Sequence, residues 1–260
     1  MSMSRRKRLR SELAWSTSDR IVVRGHDLVD LIGRVSLGDM AFLELTGRLP
    51  APQESAVFNA IAITLVEHGM TPSAIATRMT LLGAPESLQG AVAAGLLGLG
   101  DRFGGPVEEA ARTLQEALAK TPEGADLRLV AAAVVTARRE SGRPIAGLGH
   151  PIHKPVDPRV PRLFEVAAAN GFSGRHVALM QLIGEEATLA FGRPLPVNAT
   201  GAIGAIAGEL GLPWQVCRGL AVMARAIGLV AHVQEELKEP LAAEIWARVE
   251  EEATEQFKQG

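Results

Sequence analysis

Gly147-Leu-Gly-His150-Pro-Ile-His153-Lys154-Pro-Val-Asp157-Pro-Arg159 is the stretch on which the reading of this 260-residue chain turns. Three prolines and two glycines fall within it. Proline lacks a backbone N–H and glycine tolerates positive φ, so the segment reads as a loop. Loops on a rigid scaffold are where binding and catalytic groups gather. His150 changes protonation near neutral pH. Arg159 presents a fork that grips a carboxylate through two parallel hydrogen bonds. The set suits a small polyanionic substrate whose carbonyl or hydroxyl exchanges a proton.

Around the loop the chain reads as helical. Apolar residues recur at helical spacing and aromatic residues make up only 4%. Helices are expected over Asp27–Leu45, from Pro52 through Val66, from Pro106 to Lys120 and from Asp126 to Arg139. Further ones run from Pro158 to Asn170, closed by Gly171, then to Phe191 from a Ser173 cap, and from Pro213 through Leu237. Pro72 and Pro85 each suit a first helical turn. The helix after Pro213 is apolar nearly all round from Val216 to Val233, which places it in a core or a subunit interface. Arg20–Val23 is a short strand candidate. The fold class is mainly α.

Composition limits the function classes. Hydrophobic residues make up 47%, enough for a large core, and the net charge of −2 argues against general nucleic-acid binding. Arg5, Arg6, Lys7, Arg8 and Arg10 make a basic start, read as a solvated, disordered arm over residues 1–14. Cys217 is the only cysteine, so neither an internal disulfide nor a thiolate metal cluster is available, and it reads as a small buried hydrophobe. No apolar run follows the basic start as in a signal peptide, and no uncharged apolar stretch of about 20 residues occurs. A cytoplasmic protein with no membrane span is expected.

With the loop and helices in view, the chain resembles the citrate synthase superfamily. Within it, citryl-CoA lyases and the citryl-CoA lyase module of ATP-citrate lyases are the nearest match, from about Trp15 to Pro240. The loop looks like the family's Gly-x-Gly-His…Asp-Pro-Arg. Asp101-Arg-Phe-Gly-Gly105 is similar to a segment of the lyase module, and Phe103 stands where citrate synthases carry a histidine. Glu67-His68-Gly69 resembles the module's Asp-His-Gly. Ala224-Arg225-Ala-Ile-Gly228 with His232 matches the pattern of the last core helix. Asn198-Ala-Thr200-Gly201 falls where the family has Asn-Val-Asp.

The resemblance implies a helical large lobe, residues 15–103 and 206–260, and a smaller helical CoA-binding lobe, residues 104–205. It implies reversible Claisen-type cleavage of citryl-CoA to acetyl-CoA and oxaloacetate by a homodimer or higher homo-oligomer. Coenzyme A enters as the thioester substrate, with no permanently bound cofactor and no metal. His150, His68 and Thr200 are the catalytic candidates. Arg159, Arg225, Asn198 and Phe103 are the substrate contacts, and Gly147, Leu148, Gly149, His153 and Lys154 the CoA contacts. An arginine inside an apolar helix is costly without a partner, so Arg225 is expected to meet a carboxylate. His232 reads as a packing or supporting residue. Gly104-Gly105-Pro106 before a helix suggests free N–H groups for an anion or thioester oxygen. Lys238 stands near a family arginine but reads more simply as solvated. Thr200 departs from the family's aspartate, and a threonine hydroxyl is no carboxylate base at pH 7. Three alternatives therefore stand: citrate synthase-type condensation, a lyase for another 3-hydroxyacyl-CoA, or a catalytically impaired CoA- or carboxylate-binding protein.

Overall fold

The computed structural model describes residues 10–258, so residues 1–9 of the expected basic arm lie outside the described residues. The chain falls into two units, one up to Asn59 and one from Ala60 onward.

In the first unit, β1 (Ala14–Ser16), β2 (Ile21–Val23) and β3 (His26–Asp27) form an antiparallel sheet in that order. The expected strand is β2; β1 (Ala-Trp-Ser, all exposed) and β3 (His-Asp) carry no β-branched apolar run to reveal them. The single helix expected over Asp27–Leu45 is two. Asp27 caps α1 (Leu28–Leu31) by accepting the Val29 N–H at 3.0 Å. Ser36 then opens α2 (Leu37–Thr46) with a capping box: its hydroxyl accepts the Asp39 N–H at 3.1 Å, and the Asp39 carboxylate accepts the Ser36 N–H at 3.3 Å. Two reciprocal bonds at a Ser-x-x-Asp start favour a new helix over a continued one. Phe42 and Phe58, edge to face at 5.4 Å, are among the buried residues of this unit. Helix α3 (Pro52–Val66) begins here and ends in the second unit.

The second unit continues through α4 (Pro72–Gly83), α5 (Leu88–Leu97), α6 (Gly105–Ala119), α7 (Leu127–Glu140), α8 (Arg159–Ala169) and α9 (Arg175–Phe191). It closes with α10 (Ala199–Glu209), α11 (Trp214–Lys238) and α12 (Ala242–Thr254). Helix α10 is its centre: Ala199 and every residue from Gly201 to Ala207 are buried. Those residues are mostly Ala and Gly, so α6, α8, α9 and α11 all pack against it. Pro72 occupies the first turn of α4, below a Thr71 cap, and Pro106 that of α6. Gly171 follows α8 at φ +84°, as expected of a terminating glycine.

Two expected helix starts are corrected. Pro85 lies in the turn between α4 and α5, and α5 starts at Leu88. Ser173 does not cap α9. The Glu209 carboxylate, from the end of α10, accepts the His176 and Val177 N–H groups at 2.7 and 3.1 Å. An acceptor 33 residues away in sequence leaves no local signature.

Helix α11 is apolar as expected, yet only one side is core. Cys217, Leu220, Ala224, Leu229 and Val233 are buried, whereas Val222, Met223, Ile227 and Val230 are exposed. Burial pushes the Cys217 thiol up to about 12, an inert packing group. By length and composition α11 could cross a membrane, but half of its most apolar window is buried inside the protein, as in a core helix. Lys238 ends it, exposed.

A buried ion network joins α11 to α4. Arg78 is fully buried. It donates to Glu236 at 2.8 Å, to Glu235, and to His232 Nδ1 at 3.2 Å through Nε. Glu236 also accepts the Leu241 and Ala242 N–H groups at the start of α12, at 3.0 and 2.8 Å. Removing one partner from such a cluster strands the others in a poorly solvated interior. Arg78→Ala is expected to cost about 3–5 kcal/mol in urea denaturation.

Candidate active site

The loop rests on the start of α10 through backbone contact. Gly147 has φ +88°, and a Cβ there would lie 2.5 Å from the Gly201 Cα. A Cβ on Gly201 would lie 2.5 Å from the Gly147 carbonyl oxygen. Only two glycines allow this approach. Around it, Leu148 pairs with Val197 in an antiparallel bridge. The Gly149 N–H donates to Pro196 O at 2.8 Å, and the Asn198 N–H to Gly147 O at 2.9 Å. The Asn198 side chain closes the seam. Its amide nitrogen donates to Gly149 O at 2.6 Å, and its oxygen accepts from the N–H of Thr200 and Gly201 and from the Thr200 hydroxyl.

Asp157 fixes the other end of the loop. Its buried carboxylate receives Arg159 Nε at 2.9 Å and Nη2 at 2.7 Å, with the Ala199 N–H at 3.0 Å. Burial alone would raise its pKa. The Arg159 fork and the backbone amides outweigh burial and hold it far below the usual carboxylate range. Arg159 thus reaches the site already paired, its position set by Asp157.

His150 Nδ1 accepts two backbone N–H groups, from Ile152 at 3.1 Å and His153 at 3.0 Å. A neutral imidazole carries one proton, so that proton sits on Nε2 and makes His150 a donor there. Burial and then the neighbouring His153 lower its pKa, which favours the neutral form. Nδ1 anchors the loop, and Nε2 is the nitrogen left for the role expected of His150.

His68 follows α3 in a tight turn. Glu67 Oε1 accepts the N–H groups of His68 and Gly69, both at 2.7 Å. Glu67 Oε2 lies 3.2 Å from His232 Nε2, off the line of a straight hydrogen bond. His232 is in turn held at Nδ1 by Arg78, so the buried network reaches the turn that carries His68. Burial would raise the Glu67 pKa, but the His68 amide and His232 hold it below its ordinary value. Gly228 admits the turn: a Cβ there would collide with the Val66 carbonyl. Arg225, half-buried one turn before it, donates Nε to Leu65 O at 3.3 Å. Among the described residues its terminal nitrogens have no side-chain partner, so no internal carboxylate meets it as an ion pair. Burial lowers its pKa, with the Glu67 charge opposing.

A cleft of about 1200 Å³ is lined by His68, Phe103, His150, Arg159, Asn198 and Thr200, with Gly149 and Arg102 beside them; Arg225 stands behind His68, outside the lining. No carboxylate lines it among the described residues. Phe103 sits in a π-helical turn, Gly100–Gly104, that runs directly into α6. That turn corrects one expectation. The Gly104 and Gly105 N–H groups are bonded to Leu99 O and Gly100 O, so they offer no free anion site. Gly147 and Leu148 line an adjacent cavity with Arg112, Arg138 and Arg143 instead, and Lys154 is exposed outside the cleft lining. His153 packs behind His68, with the two Nε2 atoms 3.0 Å apart.

His68, His150 and His153 thus form a cluster whose nitrogens lie within 4.8 Å of one another. Sequence spacing missed it because His68 is 85 residues from His153. A cation at His150 Nε2 would force the proton onto Nδ1, against two amide donors, so His150 suits donation better than ligation. Burial, followed by Arg159 and His153, lowers the His68 pKa.

Comparison with known proteins agrees with this architecture. The family profile "Citrate synthase, C-terminal domain" matches residues 41–246. The chain belongs to the citrate synthase family. Citryl-CoA lyase from Hydrogenobacter thermophilus has the same fold, with TM-score 0.81 and 35% identity over 90% of this chain and 88% of that one. An ATP citrate lyase variant from Methanosaeta concilii, solved with (3S)-citryl-CoA, shares the fold at TM-score 0.75 and 22% identity, over 91% of this chain and 40% of that one. ATP-citrate synthase beta chain protein 2 of Arabidopsis thaliana is 30% identical over 217 residues, 76% of this chain and 34% of that one. This chain therefore spans a fifth to a third of the length of the curated relatives it matches.

Asp157→Asn is expected to destabilise the protein by about 1–3 kcal/mol through loss of a charged, buried acceptor. Because its folded pKa is depressed, the Asp157 contribution is complete above about pH 3.9 and fades as pH falls below that value. Urea melts of both proteins across that range should converge at low pH.

Proposed function

We propose that this protein cleaves citryl-CoA to acetyl-CoA and oxaloacetate, a reversible retro-Claisen reaction. The observation that carries the proposal is the His150 tautomer: two backbone amides leave its Nε2–H as a neutral donor in a cleft that also holds a second imidazole and Arg159. Citryl-CoA carries a carbinol between two free carboxylates and a thioester arm. During cleavage the carbinol loses its proton, the C–C bond breaks, and the electron pair passes to the carbon beside the thioester. That carbon is then protonated. His150 Nε2–H bonds the carbinol oxygen and follows it to the ketone. Arg225, unpaired by any carboxylate among the described residues, takes one substrate carboxylate, and the Nη1 end of Arg159, whose Nε and Nη2 are held by Asp157, takes the other. The resemblance in fold to a citryl-CoA lyase at 35% identity supports the assignment.

Thr200 lines the cleft and donates its hydroxyl to Asn198 at 2.7 Å, so it presents lone pairs and no ionised base. That feature favours one competing reading, a protein that binds CoA and carboxylates without turnover. The lobe division at 103–104 and 205–206 belongs to the same proposal, because the cleft draws His68 from one expected lobe and His150, Arg159 and Thr200 from the other. So does a homodimer, supported by the exposed apolar row of α11 and checked by light scattering.

The test is citryl-CoA with purified protein, following acetyl-CoA and following oxaloacetate by coupled reduction. His150→Ala is expected to lose about 10²–10⁴-fold in kcat. Both cleft histidines must be neutral and both have lowered pKa values, so kcat/KM should stay level down to below about pH 6.5 before falling. No turnover, with CoA bound in calorimetry, would favour the binder.

A further inference from the structure

We infer that His153 holds His68 in a single tautomer and shares a proton with it, a role that rests on the lyase reading above. The two Nε2 atoms are 3.0 Å apart, and the rings meet edge to face with centroids 5.3 Å apart. Two neutral imidazole nitrogens at that distance hold one proton between them, one donating and one accepting. Whichever ring donates decides the state of the remaining nitrogen of His68. If His68 donates from Nε2, its Nδ1 is bare and basic. If His153 donates, His68 Nδ1 carries the proton.

The rest of the cleft decides between the two. His150 is a donor at Nε2, because its Nδ1 accepts two amides. Asp157 is occupied by Arg159 and the Ala199 amide, and Glu67 by the amides of its own turn and by His232. Thr200 has no base to offer. The carbinol proton still needs an acceptor, and His68 is the other imidazole that lines the cleft. His68 Nδ1 is therefore the bare nitrogen, and its Nε2–H donates to His153 Nε2.

The protons then balance. His68 Nδ1 takes the carbinol proton as the Nε2 proton of His68 moves onto His153. The O–H electron pair becomes the second bond of the ketone, and the C–C pair moves to the carbon beside the thioester. Reversal of the shift delivers the proton from His68 Nδ1 to that carbon. Carbinol oxygen and receiving carbon are bonded to the same atom, so one imidazole reaches both. Between the two transfers His153 carries the positive charge, which the carboxylates of the substrate offset. His153 never touches substrate; it positions the tautomer of His68.

Two measurements on the full chain test the inference. Imidazole ¹⁵N NMR above the ordinary histidine pKa, assigned with His68→Gln, should show His68 protonated at Nε2 and bare at Nδ1. In His153→Ala the two tautomers should mix. In citryl-CoA cleavage, His153→Ala should lose about 10–100-fold in kcat with KM within about twofold, and added imidazole should restore part of the rate. His153→Gln, whose amide oxygen accepts from His68 but takes no proton, should keep the tautomer and recover only part of kcat. A proton on His68 Nδ1 in the native protein, an unchanged tautomer in His153→Ala, or native kcat in that variant would overturn the inference. If the native protein cleaves no citryl-CoA, the lyase proposal fails, and the NMR result alone decides the role of His153.

Discussion

The contact of Gly147 with Gly201 is the constraint on which the site depends. Backbone against backbone, it brings the Gly147–Arg159 loop onto the buried N-terminus of α10, and any side chain at either position would push them apart. The loop then needs few further bonds to become rigid. Asn198 and Asp157 supply them, one at each end, and each also serves the start of α10. Precise placement of a general acid or donor accounts for much of an active site's rate. Here that placement rests on a close packing of two glycines and on two polar side chains with nearly all their acceptor positions used.

The electrostatics follow from where the carboxylates go. Among the described residues the acids beside the cleft hold structure: Asp157 on Arg159, Glu67 on its own turn, Asp101 on Arg218. What remains for chemistry is cationic and imidazole. On the proposed function, such a site attracts a polyanion and leaves proton transfer to histidines whose pKa values burial has lowered.

Much of this was legible in the residues. Proline and glycine marked Gly147–Arg159 as a loop, and helical spacing marked α3, α7, α8 and α11 within a few residues. The failures share a cause, which is that the deciding partner is distant or the backbone departs from a regular period. Glu209 caps α9 from another helix, and Gly100–Gly104 winds as a π turn that consumes the very amides expected to be free. Ser36 and Asp39, in contrast, carried a readable capping box that the apolar spacing across Asp27–Leu45 obscured. The pairing of His68 with His153 has no local trace at all, because only the tertiary fold brings the α3 turn beneath the loop. Phe103 and Thr200 were found by resemblance, and the structure adds where they stand: both line the cleft.

The most direct measurement is a crystal structure of the protein with citrate and coenzyme A. The hydroxyl of citrate should lie about 3 Å from His150 Nε2, with carboxylates on Arg225 and Arg159 and the His68 ring facing the hydroxyl from the other side. Citrate seated instead among Arg138, Arg143 and Arg193, with the histidine cleft empty, would contradict the assignment of this cleft as the catalytic site.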